Sequence, residues 1–265
     1  MMKRAETVSK GLDKFRTILG VRFFTGTAGE SLDKVRSGGL LVVPAAPALK
    51  DLPSNLGYRE ALLGSDVAIT DSFFMVLIWN ILTGEKLSRV SGLEYIKILL
   101  RDAEVIEPGN TLWVMASPSS AGVNLAYLRE QGINVRDEDV YLAPRYSAEI
   151  SDPELLEKFR AHEYRHVIVT VGGGTQERLG LYLKKSLARV PAIHCIGAAI
   201  AFLSGDQVHI PTLVDKLGLG WLWRCLSNPS LYVPRYWAAR KLFQLMVRHR
   251  DRMPPLSPPV TSQQG

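Results

Sequence analysis

Val67-Ala68-Ile69-Thr70-Asp71-Ser72-Phe73-Phe74-Met75-Val76-Leu77-Ile78-Trp79-Asn80 reads as an apolar strand that ends on a carboxylate and runs into an apolar helix. A β-branched run, a short polar turn and a helical stretch are how α/β proteins set a side chain at the carboxyl edge of a sheet, where ligands bind. Asp71 stands at that edge. On spacing alone it reads either as a cap for the following helix, accepting a backbone N–H, or as a functional carboxylate facing a site.

Outward from this stretch the pattern repeats. Leu40-Leu41-Val42-Val43 is a buried strand that breaks at Pro44-Ala45-Ala46-Pro47, where two prolines remove backbone donors. Thr111 to Met115, Val140 to Leu142, His166 to Val171 and Ala192 to Ile196 are further strands. Tyr58 to Leu63, the segment carrying Leu93, Ile96 and Leu100, and Pro153 to His162 are helices. This alternation predicts an α/β fold, a Rossmann-like, doubly wound and mostly parallel sheet.

The strand ending at Val171 runs into Gly172-Gly173-Gly174-Thr175-Gln176-Glu177. Such glycines either let the backbone pass close to a ligand or serve only a tight turn, and Thr175 can cap the next helix. Ser117-Pro118-Ser119-Ser120-Ala121-Gly122 lacks the Gly and Lys spacing of a phosphate-cradling loop and reads as a plain turn and cap. His166 and His194 flank apolar strands and read as satisfied core or edge residues.

With 265 residues and 46% hydrophobic content the chain can bury a full core. Cys195 and Cys225, its two cysteines, form neither a disulfide framework nor a zinc cluster, which fits a reducing compartment. The charge pattern predicts neither a signal peptide nor a membrane span. From Gly218 onward there are seven Lys or Arg and one acid, while the rest of the chain is balanced, so the whole excess of +6 lies in the last segment. That asymmetry points to an anionic partner.

Tyr232 to Arg252 can form a basic amphipathic helix, with Tyr236, Leu242, Leu245 and Met246 on one flank. It suits an anionic membrane surface, or else packs on the core as a solvated charged helix. Nucleic acid is not an expected partner, because no recognition motif accompanies the charge. The expected organisation is an arm at 1–20 with helical spacing of Leu12, Phe15, Ile18 and Leu19, an α/β core at 21–217, a basic helical appendage at 218–252 and a disordered tail at 253–265.

Taken in order, Asp71, Arg89-Val90-Ser91-Gly92, Gln176-Glu177 after the glycines, Gly197-Ala198-Ala199 with Gly205, Leu217-Gly218-Leu219-x-Trp221-Leu222-Trp223-Arg224, Asn228-Pro229 and Arg235-Tyr236 resemble the bacterial WecG/TagA/CpsF glycosyltransferases. The likeness runs from about Phe23 to Phe243. It implies an inverting transferase moving an N-acetylmannosamine-type or other hexose unit from a UDP-sugar to a polyprenyl-diphosphate-linked sugar, in cell-envelope or exopolysaccharide assembly. The enzyme would sit peripherally at the cytoplasmic face of the membrane.

By the same resemblance Asp71 is the catalytic base. Arg89, Gly173, Gly174, Gln176 and Glu177 line the pocket, and Arg224 and Arg235 of the appendage close over the donor diphosphate. The resemblance implies neither a metal nor another cofactor, arginine and glycine backbone being the expected partners of the departing diphosphate. Pro44-Ala45-Ala46 replaces the family's Thr-x-Asn, which puts Ala46 at a substrate-binding position. Ala201 replaces an aspartate, His209-Ile210-Pro211 an Arg-Ala-Pro, and Gly220 a glutamate, with His209 a candidate for the pocket rim. These departures suit either another sugar specificity or a non-catalytic binding protein of the same pathway. Homo-oligomeric association is left open.

Overall fold

The computed structural model describes residues 14–207 and 210–257. Its sheet has eight strands: β1 (Phe15–Ile18), β2 (Val21–Phe24), β3 (Gly39–Val42), β4 (Val67–Ile69), β5 (Thr111–Met115), β6 (Val140–Leu142), β7 (His166–Val169) and β8 (Ala192–Cys195). The order is β1-β2-β4-β3-β8-β7-β5-β6, and only the β1–β2 pair is antiparallel. This is a Rossmann-like α/β fold.

The helices are α1 (Ala28–Val35), α2 (Ala46–Leu49), α3 (Leu56–Leu63), α4 (Phe73–Thr83), α5 (Gly92–Leu99), α6 (Ala103–Ile106) and α7 (Pro118–Glu130). They continue as α8 (Pro153–Ala161), α9 (Thr175–Ser186), α10 (Ala201–Ser204), α11 (Thr212–Lys216), α12 (Gly220–Ser227), α13 (Pro229–Ala238) and α14 (Arg240–His249). The sheet separates two apolar layers. Leu40, Val42, Val167 and Val169 face one, while Leu41 and Ile168 face the other. Strands buried on both faces need continuous apolar runs, which is why they stand out in the sequence.

The chain steps from β3 to β4 on one side, and β8 later returns to the other flank of β3. Such a reversal opens a crevice at the carboxyl ends of the strands. The loops after β3, β4, β7 and β8 all meet there.

Three expectations change at the ends of the chain. Phe15–Ile18 is a strand rather than part of a helical arm, and Ile18 and Leu19 are fully buried. Leu19 and Gly20 both have positive φ, 50° and 76°, which gives the two-residue turn that a hairpin's twist requires. A boundary at residue 20 therefore cuts a hairpin. The turn's N–H groups donate to the carbonyls of Arg250 and Asp251, so the two ends of the chain meet. Leu12 lies outside the described residues.

Residues 253–257, expected to be disordered, lie on the core. Arg59 donates to the Pro254 carbonyl at 2.7 Å, and Ser257 N–H to that of Pro53 at 2.8 Å. The rest of the expected tail, 258–265, lies outside the described residues.

The segment 232–252 is split between α13 and α14, with Ala239 buried at the joint. Leu242 and Met246, on the flank expected to suit lipid, are fully buried in the layer that holds Met75, Val76 and Ile78 of α4. That flank of α14 is core. The exposed apolar side chains of this region include Trp221, Leu222, Trp223, Leu226, Trp237, Phe243 and Val247, and Trp221 and Trp237 share a groove with Phe74 and Leu77 of α4. Among the described residues, no helix is long and apolar enough to cross a membrane.

Candidate active site

Asp71 follows β4 by two residues, but it does not cap α4. Ser72 does, its hydroxyl accepting from Met75 N–H at 3.2 Å. The Asp71 carboxylate instead accepts the N–H of Gly92, the first residue of α5, at 2.9 Å. The Arg89 guanidinium lies 3.5 Å from the same oxygen and donates through Nε to the Asp71 carbonyl at 2.6 Å.

Arg89 is held from its other side as well. Nη1 donates to the Asp215 carbonyl at 2.7 Å and Nη2 to the Asp215 carboxylate at 3.0 Å. Its donors are thus engaged within the protein, and the position expected to bind substrate is a bridge between Asp71 and α11. Asp215 carries no motif that marks it in the sequence. A lone acid in a short polar helix gives no sign of a partner 126 positions upstream.

Of the three glycines, only Gly174 has a positive φ, at 87°. A Cβ placed on Gly172 or Gly173 would meet nothing in the protein. The turn alone therefore accounts for one glycine, and the other two leave open space in front of the backbone. The N–H of Gly174 is already used: Glu177 accepts it at 2.6 Å and the Gln176 amide at 3.2 Å.

Glu177 is buried, and burial pushes its carboxyl up to about 7 against the pull of those hydrogen bonds. It supports the glycine loop by accepting the Gly174 N–H. The Tyr58 hydroxyl, pushed up by burial and then by the charge of Glu177, has no hydrogen-bond partner. Gln176 is buried too, with its carbonyl oxygen unpaired.

Arg224 lies over the Phe202 ring at 4.2 Å and donates to the Tyr236 hydroxyl at 3.1 Å, while its Nε is buried without a partner. A buried N–H left unpaired on a cation is costly, so it marks a place where an anion would be welcome. Arg235 is exposed on α13.

Asp71, Arg89, Gly173, Gly174, Gln176, Glu177, Arg224 and Arg235 all line one cleft of about 600 Å³. Ala46 does not; its neighbours Ala45 and Pro47 do. Ala46, the first residue of α2, lines an adjoining apolar groove of about 440 Å³ with Phe73, Leu77, Trp221 and Trp237. Cleft and groove share Asp71, Arg89, Asp215 and Arg224 in their common wall. His209 lies outside the described residues. His166 and His194 are buried at the middle of the sheet, hydrogen-bonded to each other at 3.2 Å, with His194 also on the Tyr95 hydroxyl at 2.8 Å.

A parallel-sheet crevice with a carboxylate, a glycine loop and an appendage arginine on its walls has the make-up of a ligand-binding site. The chain belongs to the glycosyl transferase WecG/TagA/CpsF family, whose sequence profile matches residues 16–255. No individual curated protein matches it.

Proposed function

We propose that this protein transfers a hexose or N-acetylhexosamine, of N-acetylmannosamine type, from a UDP-sugar to a polyprenyl-diphosphate-linked sugar, with inversion and without a metal ion. The observation that carries this reading is the position of Asp71, in the wall between a polar cleft and an apolar groove. A nucleotide-sugar suits the first and a lipid-linked acceptor the second, which brings the two substrates together at one carboxylate.

In a direct displacement the acceptor hydroxyl attacks the anomeric carbon as the bond to the UDP oxygen breaks. Asp71 takes the hydroxyl proton, and UDP departs with the bonding electron pair. The charge gathering on the diphosphate is met by Arg224 and Arg235 and by open backbone at Gly173. Gln176, with an unpaired carbonyl oxygen in the cleft wall, is suited to a sugar hydroxyl or acetamido N–H.

The exposed Trp221, Trp223 and Trp237, the last with the Arg240 guanidinium over its ring at 4.4 Å, suit the anionic inner face of a membrane. Cell-envelope or exopolysaccharide assembly is the setting in which such an acceptor occurs. Incubation with a panel of UDP-sugars and a polyprenyl-diphosphate-linked sugar tests the reading: UDP release that needs both substrates is expected. Saturable UDP binding with no release on any acceptor would instead favour a non-catalytic binding protein, which the engagement of Arg89 and Glu177 within the protein would suit.

A further inference from the structure

We infer that Asp215 is a positioning residue for the reaction, joining the carboxyl-terminal helices to the loop that orients Asp71. The inference rests on the transfer reading above for its kinetic consequence, and on geometry alone for its structural one. Two hydrogen bonds tie Asp71 to the segment after α4: its carboxylate receives Gly92 N–H, and its carbonyl receives Arg89 Nε. Both partners lie within 89–92, where the loop runs into α5.

Asp215 grips that loop at three points. Its carbonyl and Oδ1 take the two terminal nitrogens of Arg89, and its Oδ2 accepts the Ser91 hydroxyl at 2.7 Å. Ser91 is the N-cap of α5, and its oxygen at the same time receives Glu94 N–H at 3.0 Å. Giving its proton to Asp215 leaves the Ser91 oxygen's lone pairs for the helix. One carboxylate thus settles both the side chain that holds the Asp71 carbonyl and the cap of the helix whose first N–H holds the Asp71 carboxylate.

The grip comes from α11, which leads into the helices carrying Arg224 and Arg235. Asp215 and Arg89 are both in the wall shared by the cleft and the groove. Were the grip released, Arg89 would be free to turn both terminal nitrogens onto Asp71 or into the cleft, and the carboxylate would lose its fixed direction. Misplacement of a reacting group by about 1 Å can cost on the order of 100-fold in rate.

The test compares full-length Asp215→Asn and Asp215→Glu with wild type, reading amide hydrogen exchange at Gly92, UDP affinity by calorimetry, and steady-state transfer. Gly92 N–H reports directly on its bond to Asp71. Asp215→Asn is expected to speed Gly92 exchange on the order of tenfold or more and to lower kcat on the order of 10- to 100-fold. UDP affinity should stay within about threefold, and Asp215→Glu should restore part of kcat. Unchanged Gly92 exchange in Asp215→Asn overturns the inference, as does a loss carried by UDP affinity and KM with kcat intact. If wild type transfers no sugar, the transfer reading fails by itself, and the exchange arm still decides the role of Asp215.

Discussion

Replacing Glu177 by Gln isolates the cost of a buried charge under the glycine loop. The carboxyl is raised from 4.5 to about 7, chiefly by burial. Because the folded protein binds this proton more tightly than the unfolded chain, the group's contribution to stability is fully present below about 4.5 and is lost as the pH rises through about 7. At 1.36 kcal/mol per pH unit, the interval from 4.5 to about 7 bounds the loss at about 3 kcal/mol.

Gln cannot ionise, so every other titrating group cancels in the difference between variant and wild type. That difference should move in favour of Glu177→Gln by about 2.5 kcal/mol between about pH 5 and about pH 8. The new amide can keep the Gly174 N–H. By turning over, the Gln176 amide can also offer its unpaired oxygen to the new N–H₂. Urea denaturation of both proteins across that range is the assay. A stability difference that stays constant with pH would refute the assignment of a raised carboxyl here.

Four further outcomes are expected. His194 and His166 are held below the usual histidine range by burial, so the stability they contribute is present above about 6.5 and lost as the pH falls; His194→Gln should flatten that acid loss in a denaturation series. Gly180→Ala would put a Cβ 2.5 Å from Leu40 Cδ1 and 2.6 Å from Cys195 Sγ; overpacking of α9 on the sheet should cost about 1–3 kcal/mol by denaturant titration. Deleting residues 218–265 should uncover α4 and leave a poorly soluble chain by gel filtration, because Leu242 and Met246 complete its core layer. Trp237→Glu, at a side chain 67% exposed, should instead weaken sedimentation with anionic liposomes while leaving the melting temperature within a few degrees.

The parallel strands were legible because burial on both faces demands unbroken apolar runs, as in Val167-Ile168-Val169. The ends of the chain were harder to read. Leu19-Gly20 forms a hairpin turn although only one of the pair is glycine, and helical spacing of Phe15 and Ile18 hid the strand. Helix α1 carries a sequence signal of its own: Thr27 and Glu30 form a capping box three residues apart. The apolar flank of α14 shows that amphipathicity reveals a buried face without naming what covers it.

At the site, Asp71, Gln176 and the glycine loop could be picked out because each follows a strand at the sheet edge. What sequence could not give was who holds whom. The Arg89–Asp215 bridge and the burial of Glu177 depend on elements far apart in the chain, and they give two residues of the cleft wall partners within the protein.

The account centres on Asp71 as the group that takes the acceptor's proton beside a bound UDP-sugar. The most direct measurement is UDP release by Asp71→Asn against wild type at saturating donor and acceptor, with UDP affinity measured on the same samples. Release should fall by on the order of 100-fold or more while UDP binds as before. A variant that releases UDP at the wild-type rate would contradict it.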